Sequence, residues 1–465
     1  MKTVFSKIFQ ITDQKEFSIF SGDFNLMHID EVASRRFLYG KPVVHGINIV
    51  LNALEVWSSL NKNHFIISSI ETEFLSPVFL DKEVSFQFSS NDNINSFQIF
   101  SENILKANIN FQLTHSSLEV THHQIIDKFP EKISPKNNDI ESLKVASGDI
   151  RFYLNQKCLK ELFPNLFEFS DFFQIASLLS STRLVGMKCP GTNSVFSSFN
   201  FDFSKLTNKT TFKVIKTNRF GFVTIEINGG FNGTIKAFLR PEPVEQLDYN
   251  EIKKHIKENQ YKNQVALVIG GSRGIGEVTA KILAAGNAEV VITYNKGIND
   301  AQNIINEVKS NGGKISMIPY DVNDNIVDYD FTPTDIYYFA TPPISSGIPS
   351  FFSSEIFNQF SLFYLSSFYS LVKFWSEKKV YNFFYPSSVY VNEMPNNMLE
   401  YSLAKHSAEK MCDHIMKNNK LIKIYKPKLP RMATDQTVSF LPVKNNDPFK
   451  HMLTELNNYI DYKLS

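Results

Sequence analysis

One stretch of twelve residues restricts the possible fold of this chain more than any other part of the sequence. It runs from Val265 to Gly276 and reads Val-Ala-Leu-Val-Ile-Gly-Gly-Ser-Arg-Gly-Ile-Gly. Its apolar first five residues have the length of a fully buried strand. The glycines that follow allow a tight turn, and good helix formers continue from Glu277. Such a turn brings the backbone close to a pyrophosphate at a helix N-terminus, although the same pattern also occurs in strand–helix turns that bind nothing.

Two further segments favour the nucleotide interpretation. The sequence Tyr401-Ser-Leu-Ala-Lys405 follows downstream, and Ser388 lies thirteen positions before the tyrosine. In this order and at this spacing the three segments resemble the short-chain dehydrogenase/reductase family. The resemblance implies an α/β Rossmann-type fold, with a doubly wound parallel sheet, over residues 262–465.

The resemblance also implies residue roles. In that family the tyrosine protonates the substrate oxygen and the serine bonds the carbonyl. The lysine lowers the pKa of the tyrosine and bonds the nicotinamide ribose. By this resemblance we expect Ser388, Tyr401 and Lys405 to be catalytic. The expected cofactor-binding residues are Gly270, Ser272, Arg273, Gly274, Ile275, Gly276, Asp321, Val322, Ala340, Tyr401 and Lys405.

The expected cofactor is NADP(H) rather than NAD(H). An NAD-specific fold usually places Asp or Glu at the end of the second strand to bond the ribose 2′-hydroxyl, and Thr293-Tyr-Asn295 offers neither. Arg273 can instead meet a 2′-phosphate. Two family features are poorly kept. The family's N-N-A-G retains only Ala340, and its helix asparagine falls near Tyr364.

A second group of motifs lies in the first 120 residues. Ser21-Gly-Asp-Phe-Asn-Leu-Met-His-Ile-Asp30 reads as a loop, and Val44-His-Gly46 opens an amphipathic helix. Strand-like runs follow this helix. These motifs resemble the MaoC-like hydratases and dehydratases of the hotdog fold, which include (R)-specific enoyl-CoA hydratases. Leu26 stands where that family has proline.

The chemistry of hydration fits the spacing of these residues. Adding water to an enoyl thioester needs one group to deprotonate water and another to protonate the α-carbon. We expect Asp23 and His28 to form this dyad, with the N–H at Gly46 polarising the thioester oxygen. The alternative is that both side chains only cap local structure. We expect His45 to be structural, fixing the start of the helix.

The segment 140–245 repeats the same architecture. An apolar helix at 170–187 precedes four strand-like runs, but no histidine occurs between His123 and His255. We therefore predict a second, degenerate hotdog domain after the MaoC-like hotdog domain at 1–120. In the hotdog family the units pair around the acyl tunnel, so the second copy can complete the pocket of the first. The predicted fold class is thus an α+β double hotdog followed by the Rossmann-type domain.

Net charge, cysteine positions and the lengths of apolar runs narrow the expected partners and location of the chain. The formal net charge is +1, which gives no reason to expect nucleic acid or an anionic membrane. Three cysteines at distant positions predict no disulfide framework and no metal site, and a reducing cytoplasm is the expected location. No apolar run reaches the length of a membrane span. By analogy with both families, we expect a homo-oligomer.

The combined expectation is a bifunctional enzyme of β-carbon processing, as in fatty-acid or polyketide-like biosynthesis. It would reduce a 3-oxoacyl thioester with NADPH and dehydrate the product or hydrate the enoyl form. The expected substrate carrier is acyl carrier protein or CoA. One alternative is a reductase with a non-catalytic hotdog module for binding or dimerisation. The other is a hydratase with an inactive, nucleotide-binding reductase domain.

Overall fold

The chain forms two compact units. The computed structural model describes residues 2–114, 125–203, 209–324, 326, 329–344, 352–439 and 443–465. Of these residues, unit 1 comprises those from 2 to 242 with Ser439, and unit 2 comprises those from 243 to 438 with those from 443 to 465. The predicted domain boundary at residue 120 lies outside the described residues.

Unit 1 is built on one ten-stranded antiparallel sheet, with the strand order β1-β3-β4-β5-β2-β9-β12-β11-β10-β7. Its strands, and the separate parallel pair β6 and β8, are β1 (Lys2–Ile8), β2 (Ile66–Phe74), β3 (Glu83–Asn91), β4 (Ile94–Ser101), β5 (Ile104–Thr114), β6 (Ile125–Ile126), β7 (Ser147–Asp149), β8 (Phe152–Tyr153), β9 (Ser194–Asp202), β10 (Thr211–Thr217), β11 (Phe222–Asn228) and β12 (Asn232–Leu239). Its helices are α1 (Ile11–Ser21), α2 (Leu26–Ile29), α3 (Gly46–Asn61), α4 (Ile140–Lys144), α5 (Gln156–Leu162), α6 (Pro164–Phe169) and α7 (Phe172–Arg183), with a 3-10 turn at Ala33–Arg36 and a π-helical turn at Leu184–Lys188.

The sheet order is a mirrored repeat. The first half of unit 1 (residues 2–114) gives β1-β3-β4-β5-β2, and the second half (residues 125–242) gives β7-β10-β11-β12-β9. The two halves join where β2 pairs antiparallel with β9, from Ser69 opposite Asp202 to Glu73 opposite Ser198. Each half places one long apolar helix, α3 or α7, against its strands. This architecture confirms the double hotdog that the sequence predicts.

The helix α3 is central because its apolar residues recur at helical spacing. Ile47, Val50, Leu51 and Leu54 are fully buried and belong to the one hydrophobic core of unit 1, which also contains residues of the second half. Burying each such side chain contributes about 1.5–3 kcal/mol. Since both halves share this core, each half stabilises the other.

Unit 2 is a six-stranded parallel sheet with helices on both faces, in the order β15-β14-β13-β16-β17-β19. Counted along the chain within this sheet alone, this is the order 3-2-1-4-5-6 of a doubly wound Rossmann sheet, which confirms the prediction. Its strands, including the separate pair β18 and β20, are β13 (Val265–Ile269), β14 (Glu289–Tyr294), β15 (Lys314–Pro319), β16 (Asp335–Tyr338), β17 (Asn382–Phe384), β18 (Ser387–Ser388), β19 (Lys423–Tyr425) and β20 (Lys428–Leu429). Its helices are α8 (Tyr249–Lys253), α9 (Gly274–Ala285), α10 (Ile298–Ser310), α11 (Ser354–Ser361), α12 (Phe368–Glu377), α13 (Tyr390–Glu393), α14 (Leu399–Asn418) and α15 (Pro448–Leu464), with a π-helical turn at Leu362–Ser367 and a 3-10 turn at Asp435–Thr437.

Among the helices in the described part of the chain, none combines the length and the apolar character needed to cross a bilayer.

Candidate active sites

The loop between α1 and α2 positions the first candidate site. Gly22 ends α1 in the left-handed region, with φ at 75°, where glycine is favoured. Asn25 then caps α2, since its side chain accepts a hydrogen bond from the backbone N–H of Met27 at 3.2 Å. Leu26 is the first residue of α2, a position where proline fits without losing a hydrogen bond. Replacing the family's proline by leucine therefore leaves the loop intact.

This loop brings Asp23 and His28 together with His45. All three side chains are buried, with exposed fractions of 2%, 9% and 0%. A carboxylate oxygen of Asp23 and one nitrogen from each imidazole lie within 4.8 Å of one another. His28 Nδ1 lies 2.8 Å from the carbonyl oxygen of Val43. Because a carbonyl oxygen only accepts, Nδ1 carries the hydrogen and Nε2 of neutral His28 keeps its lone pair.

Burial shifts the two members of this pair in opposite directions. It raises the pKa of Asp23, although the charge of His28 and a hydrogen bond from Thr182 oppose the rise. Burial also lowers the pKa of His28, against the attraction of Asp23. Both shifts bring the two groups closer in proton affinity, so the pair is suited to exchanging one proton between them.

His45 contacts both members of the Asp23–His28 pair. Its ring stacks on the ring of His28, with centroids 3.8 Å apart. Its Nδ1 lies 3.0 Å from Gln14 Oε1, which also accepts from its backbone N–H, and its Nε2 lies 3.2 Å from the carbonyl oxygen of Asp23. Burial, with a smaller effect of His28, holds the pKa of His45 well below its usual value. These contacts are those of a residue that fixes the start of α3.

The second half of unit 1 completes the surroundings of Asp23. Thr182 Oγ1 donates to Asp23 Oδ2 at 2.6 Å, and the side chain of Asn25 donates to the carbonyl of Gly186 at 3.3 Å. A Cβ placed on Gly186 would lie 2.1 Å from Asp23 Oδ1. Sequence reasoning missed both Thr182 and Gly186. The available signal was the presence of polar residues, including the neighbouring Arg183, on an otherwise apolar helix.

Arg183 is buried beside the same loop. Its guanidinium lies 4.7 Å from the ring centroid of Tyr153 and donates to the carbonyl of Arg151. Burial lowers its pKa to about 10, so it stays charged at neutral pH, and its charge favours the ionised form of Asp23. The structure thus places this arginine near the dyad.

Gly46 is the first residue of α3, directly after His45. The N–H groups of Asn48 and Ile49 donate to the carbonyl of His45 at 3.1 and 3.3 Å. The N–H of Gly46 lies in the first turn, where a helix has no acceptor of its own to offer. A Cβ on Gly46 would lie 2.7 Å from the ring of Phe74, so a larger residue here would displace that ring.

The turn between β13 and α9 in unit 2 is rich in glycine, so few side chains cover its backbone. Gly270 and Gly274 have φ of 74° and 58°, which other residues rarely adopt. A Cβ on Gly276 would lie 2.2 Å from the carbonyl oxygen of Gly270. Ser272 is buried inside the turn, and Ile275 lies in the first turn of α9. The turn therefore presents N–H groups at a helix N-terminus, as anion binding requires.

A loop after β20 covers this turn. Thr434 Cγ2 lies 3.7 Å from the position of a Cβ on Gly274. The guanidinium of Arg273 lies 3.9 Å from Oδ2 of Asp435, and the other carboxylate oxygen, Oδ1, accepts from the N–H of Val244 at 2.8 Å. Arg273 therefore already faces a carboxylate, whereas we expect from the sequence that it meets a phosphate.

The other expected cofactor residues lie near the carboxyl ends of neighbouring strands. The carboxylate of Asp321 accepts from Asn295 Nδ2 at 2.6 Å and from the N–H of Asn323 at 3.0 Å. Val322 is buried, and the N–H nitrogen of Ala340 would lie 2.9 Å from a Cβ on Gly270. This edge of a doubly wound sheet is where ligands bind in such folds.

The side chains of Tyr401 and Ser388 meet in the structure, but the pKa of Tyr401 does not shift in the direction that the family resemblance implies. Tyr401 is hydrogen-bonded to Ser388, which favours the phenolate, yet burial dominates and raises the pKa of Tyr401 to about 12. The expectation that Lys405 lowers this pKa is therefore wrong for this arrangement. The reason is that the Lys405 ammonium points elsewhere, donating to the carbonyl of Pro386 at 2.7 Å.

Two tyrosine rings enclose Lys405. Its Nζ lies 3.9 Å from the ring centroid of Tyr364 and 4.7 Å from that of Tyr385. Burial lowers the pKa of Lys405 to about 7. Tyr364 lies in the π-helical turn at 362–367, bonds Thr341 through its hydroxyl, and packs edge-on against Tyr401 at 5.7 Å between centroids. Near the place where the resemblance puts the family's asparagine, the lysine therefore contacts an aromatic ring.

Comparison with known proteins identifies a family for part of each unit. Residues 6–109 match the model of the MaoC like domain, and residues 264–327 match that of the short chain dehydrogenase. The matched segments hold Asp23, His28 and Gly46 in unit 1 and the glycine turn in unit 2.

Curated relatives match over short segments. The chain is 40% identical over 72 residues to the uncharacterized oxidoreductase YgfF of Escherichia coli strain K12, covering 15% of this chain and 29% of that protein. It is 42% identical over 59 residues to a 3-oxoacyl-[acyl-carrier-protein] reductase of Synechocystis, covering 13% and 24%. The chain thus spans less than a third of the length of either relative.

Among solved structures, the FolM alternative dihydrofolate reductase 1 from Brucella canis, complexed with NADP, aligns at 14% identity and a TM-score of 0.38, covering 44% of this chain and 90% of that chain. In unit 1 the match to the MaoC like domain agrees with the hotdog fold, and in unit 2 the match to the short chain dehydrogenase agrees with the Rossmann-type sheet. The chain therefore joins a MaoC-like domain to a later short-chain dehydrogenase domain.

Proposed function

We propose that this chain processes the β-carbon of acyl thioesters at two sites. Unit 1 adds water to an enoyl thioester or removes it from the 3-hydroxyacyl form, and unit 2 reduces a 3-oxoacyl thioester. The observation that carries the proposal is the buried pair Asp23 and His28, in which the contact of His28 with Val43 leaves Nε2 free to accept a proton.

In the dehydration direction, His28 Nε2 takes the proton from the α-carbon of the substrate. Protonated Asp23 gives its proton to the 3-hydroxyl group, which leaves as water while the carbon–carbon double bond forms. Hydration is the reverse, with Asp23 accepting a proton from water and His28 returning one to the α-carbon. The N–H of Gly46 stabilises the thioester oxygen as negative charge develops on it.

The glycine turn of unit 2 fits a dinucleotide. Gly274 and Gly276 lie in the first turn of α9, whose backbone N–H groups have no acceptor within the helix, and Arg273 and Thr434 border the same turn. When bound, a reduced nicotinamide would supply the reducing equivalent for a carbonyl carbon. We favour NADP over NAD because β14 ends without a carboxylate, and Arg273 can exchange its partner Asp435 for a 2′-phosphate.

Tyr401 is suited to donate a proton in this reduction. Its pKa of about 12 keeps the phenol protonated at neutral pH, and Ser388 orients it through their hydrogen bond. Transfer of this proton to the substrate oxygen, together with the reducing equivalent that a bound reduced nicotinamide would supply to the carbonyl carbon, would yield the 3-hydroxyacyl thioester. This product is the substrate of unit 1 in the dehydration direction. The shared intermediate supports joining the two activities in one chain. The substrate carrier that we propose is acyl carrier protein or CoA, and the similarity to the Synechocystis reductase supports the former.

A second candidate for unit 2 is nucleotide binding without turnover. It is favoured by the position of Lys405, which donates to Pro386 and lies between two tyrosine rings instead of facing Tyr401. Under this alternative the unit binds NADPH but oxidises it with no 3-oxoacyl thioester.

The test is mass analysis of thioester products. The full-length protein receives NADPH and a short 3-oxoacyl-CoA, beside the variants Asp23→Asn and Tyr401→Phe. We expect the wild type to form hydroxyacyl and enoyl products, Asp23→Asn to stop at hydroxyacyl, and Tyr401→Phe to form neither. Tyr401→Phe should still hydrate an enoyl-CoA supplied directly.

Matched controls separate chemistry from folding. Asp30→Asn keeps a residue that can cap the turn at Ala33–Arg36, where Asp30 accepts from two backbone N–H groups, and Tyr390→Phe alters a ring next to Tyr401. Both should retain activity. Hydroxyacyl product alone, with Asp23→Asn behaving as wild type, would refute hydratase chemistry in unit 1. NADPH binding without any product would favour the second candidate for unit 2.

A further inference from the structure

The second half of unit 1 reaches the Asp23 carboxyl group through Thr182. The hydroxyl of Thr182 donates to Asp23 Oδ2 at 2.6 Å. Thr182 is 4% exposed and Asp23 is 2% exposed, so bulk water does not compete for this bond. We propose that Thr182 is a positioning residue, which holds Asp23 in the orientation and ionised state in which it accepts a proton from water. This inference rests on the function proposed for unit 1.

The two oxygens of the carboxylate are held from different sides. Oδ1 accepts from the N–H of Asn25 at 3.2 Å, within the loop of the first half. The backbone of Gly186 packs against the same oxygen, because a Cβ there would lie only 2.1 Å away. Oδ2 is bonded by Thr182 on α7 of the second half. With one donor on each oxygen, the carboxylate cannot rotate without breaking a bond.

The hydroxyl of Thr182 is directed differently from its helical neighbours. Ser180 and Ser181 donate to carbonyls of their own helix, at Ser177 and Leu178. Hydroxyl residues in helices commonly make such local bonds. Thr182 instead donates across to the first half, which is the contact expected of a residue serving the site.

The charge state of Asp23 reflects several neighbours. Burial raises the pKa of Asp23, and the factors that oppose the rise include His28, the Thr182 hydroxyl and Arg183. His45, from the start of α3, faces the loop with its pKa held low, so it adds no charge near neutral pH. Removing the hydroxyl of Thr182 therefore leaves burial less opposed and favours protonated Asp23.

The experiment compares full-length Thr182→Val, Thr182→Ser and Ser181→Ala with the wild type. Hydration of a short trans-2-enoyl-CoA is followed by loss of enoyl absorbance across pH. We expect Thr182→Val to lower kcat for hydration about ten- to hundredfold, the range for losing a hydrogen bond to a charged group. Its pH profile should also move to higher pH. Thr182→Ser restores the hydroxyl and should restore both values, and Ser181→Ala should match the wild type.

A second readout does not depend on turnover. In histidine-labelled protein, the NMR signal of His28, assigned through His28→Gln, senses the titration of Asp23. Thr182→Val should move this titration to higher pH. An unchanged pH profile and an unchanged titration in Thr182→Val would overturn the inference while leaving the hydratase proposal in place. If the wild type hydrates no enoyl-CoA, the function proposed for unit 1 fails, and the NMR titration alone decides the role of Thr182.

Discussion

Two imidazoles at the candidate hydratase site are held neutral, and this has a consequence for stability. Burial lowers the pKa of both His28 and His45 in the folded chain. As pH falls below the unfolded value of about 6.5, the unfolded chain binds protons that the folded chain does not. Stability that is complete above about pH 6.5 is therefore lost as the solution becomes more acidic, by at most about 1.4 kcal/mol per pH unit for each histidine.

Denaturant unfolding at a series of pH values checks this prediction. His45→Asn removes one of the two titrating groups, so its free energy of unfolding should fall less steeply with acid than that of the wild type. His64→Asn is the control, because His64 is exposed. Equal slopes for the wild type and His45→Asn would show that His45 is not held neutral.

The lowered pKa of Lys405 predicts that the affinity of unit 2 for NADPH depends on pH. Because its pKa is lowered to about 7, the amine is charged below this pH and neutral above it. If the ammonium bonds the cofactor ribose, NADPH affinity should weaken severalfold as pH rises through about 7. Fluorescence titration of NADPH measures this. Lys405→Arg stays charged and should bind with nearly constant affinity over the same range, whereas parallel curves would exclude a role for this charge.

Sequence and structure agree unevenly at the level of single residues. Asp23, His28 and the glycines could be found because they lie in short motifs, within which spacing fixes geometry. Thr182 could not, because it is more than 150 residues from Asp23 along the chain and meets it only after the two halves pair. The contacts of Lys405 could not be predicted either, since they depend on how the rings of Tyr364 and Tyr385 pack.

Among the elements, the π-helical turn Leu184–Lys188 has a testable role. It brings the backbone of Gly186 against Asp23, with room for hydrogen but not for a methyl group. Gly186→Ala should displace the carboxylate and lower hydration by about two orders of magnitude or more, as misplacing a catalytic group does. Reduction by unit 2 should be unchanged. Steady-state assays of the two half-reactions measure both effects.

The matched control is Gly148→Ala. Gly148 lies in β7 of the same half, and a Cβ there would meet only the edge of the Phe212 ring, at 3.1 Å. This variant should retain hydration. Full hydration by Gly186→Ala would mean that the carboxylate does not need this close approach.

The elements themselves follow closely from sequence periodicity. The amphipathic helix that the sequence predicts after Val44-His-Gly46 is α3, which spans Gly46–Asn61, because an apolar stripe at helical spacing has only one way to be buried. The predicted helix at 170–187 is less accurate, since α7 ends at Arg183 and continues as a π-helical turn. The apolar pattern is the same in both geometries, so periodicity does not distinguish them.

At the scale of the whole molecule, the shared core of unit 1 predicts that a destabilising substitution in one half also lowers the stability of the other half. Ile225 lies in β11 of the second half and is fully buried, whereas Trp57 lies in α3 of the first half. Ile225→Ala should cost about 2–5 kcal/mol and lower the denaturant midpoint that Trp57 reports. The chain has two tryptophans, so Trp375→Phe leaves Trp57 as the reporter.

The control for this experiment is Ile215→Ala, because Ile215 lies in the same half but is about half exposed. It should leave the midpoint almost unchanged. If Trp57 fluorescence changed at the wild-type midpoint in Ile225→Ala, the two halves would unfold independently.

The fold class could be predicted because the motifs of the first half resemble the MaoC-like hotdog family and the second half repeats its pattern of one helix and several strands. For unit 2, the glycine turn together with Ser388, Tyr401 and Lys405 resembles the short-chain dehydrogenase/reductase family, which implies a Rossmann-type fold. The strand pairing that joins the halves could not. The pairing of β2 with β9 depends on contacts between residues far apart in sequence, and no local pattern specifies its register.

That pairing also determines how unit 1 responds to dilution. A hotdog made from separate subunits would lose its partner as the protein concentration falls, and its outer strand would then expose unpaired backbone groups to other chains. Here the partner half is tethered by the chain itself, so its effective concentration is fixed by the linker and not by the solution. The specific activity of the Asp23 site should therefore be the same in a dilute extract as in a concentrated one, even if higher oligomers dissociate.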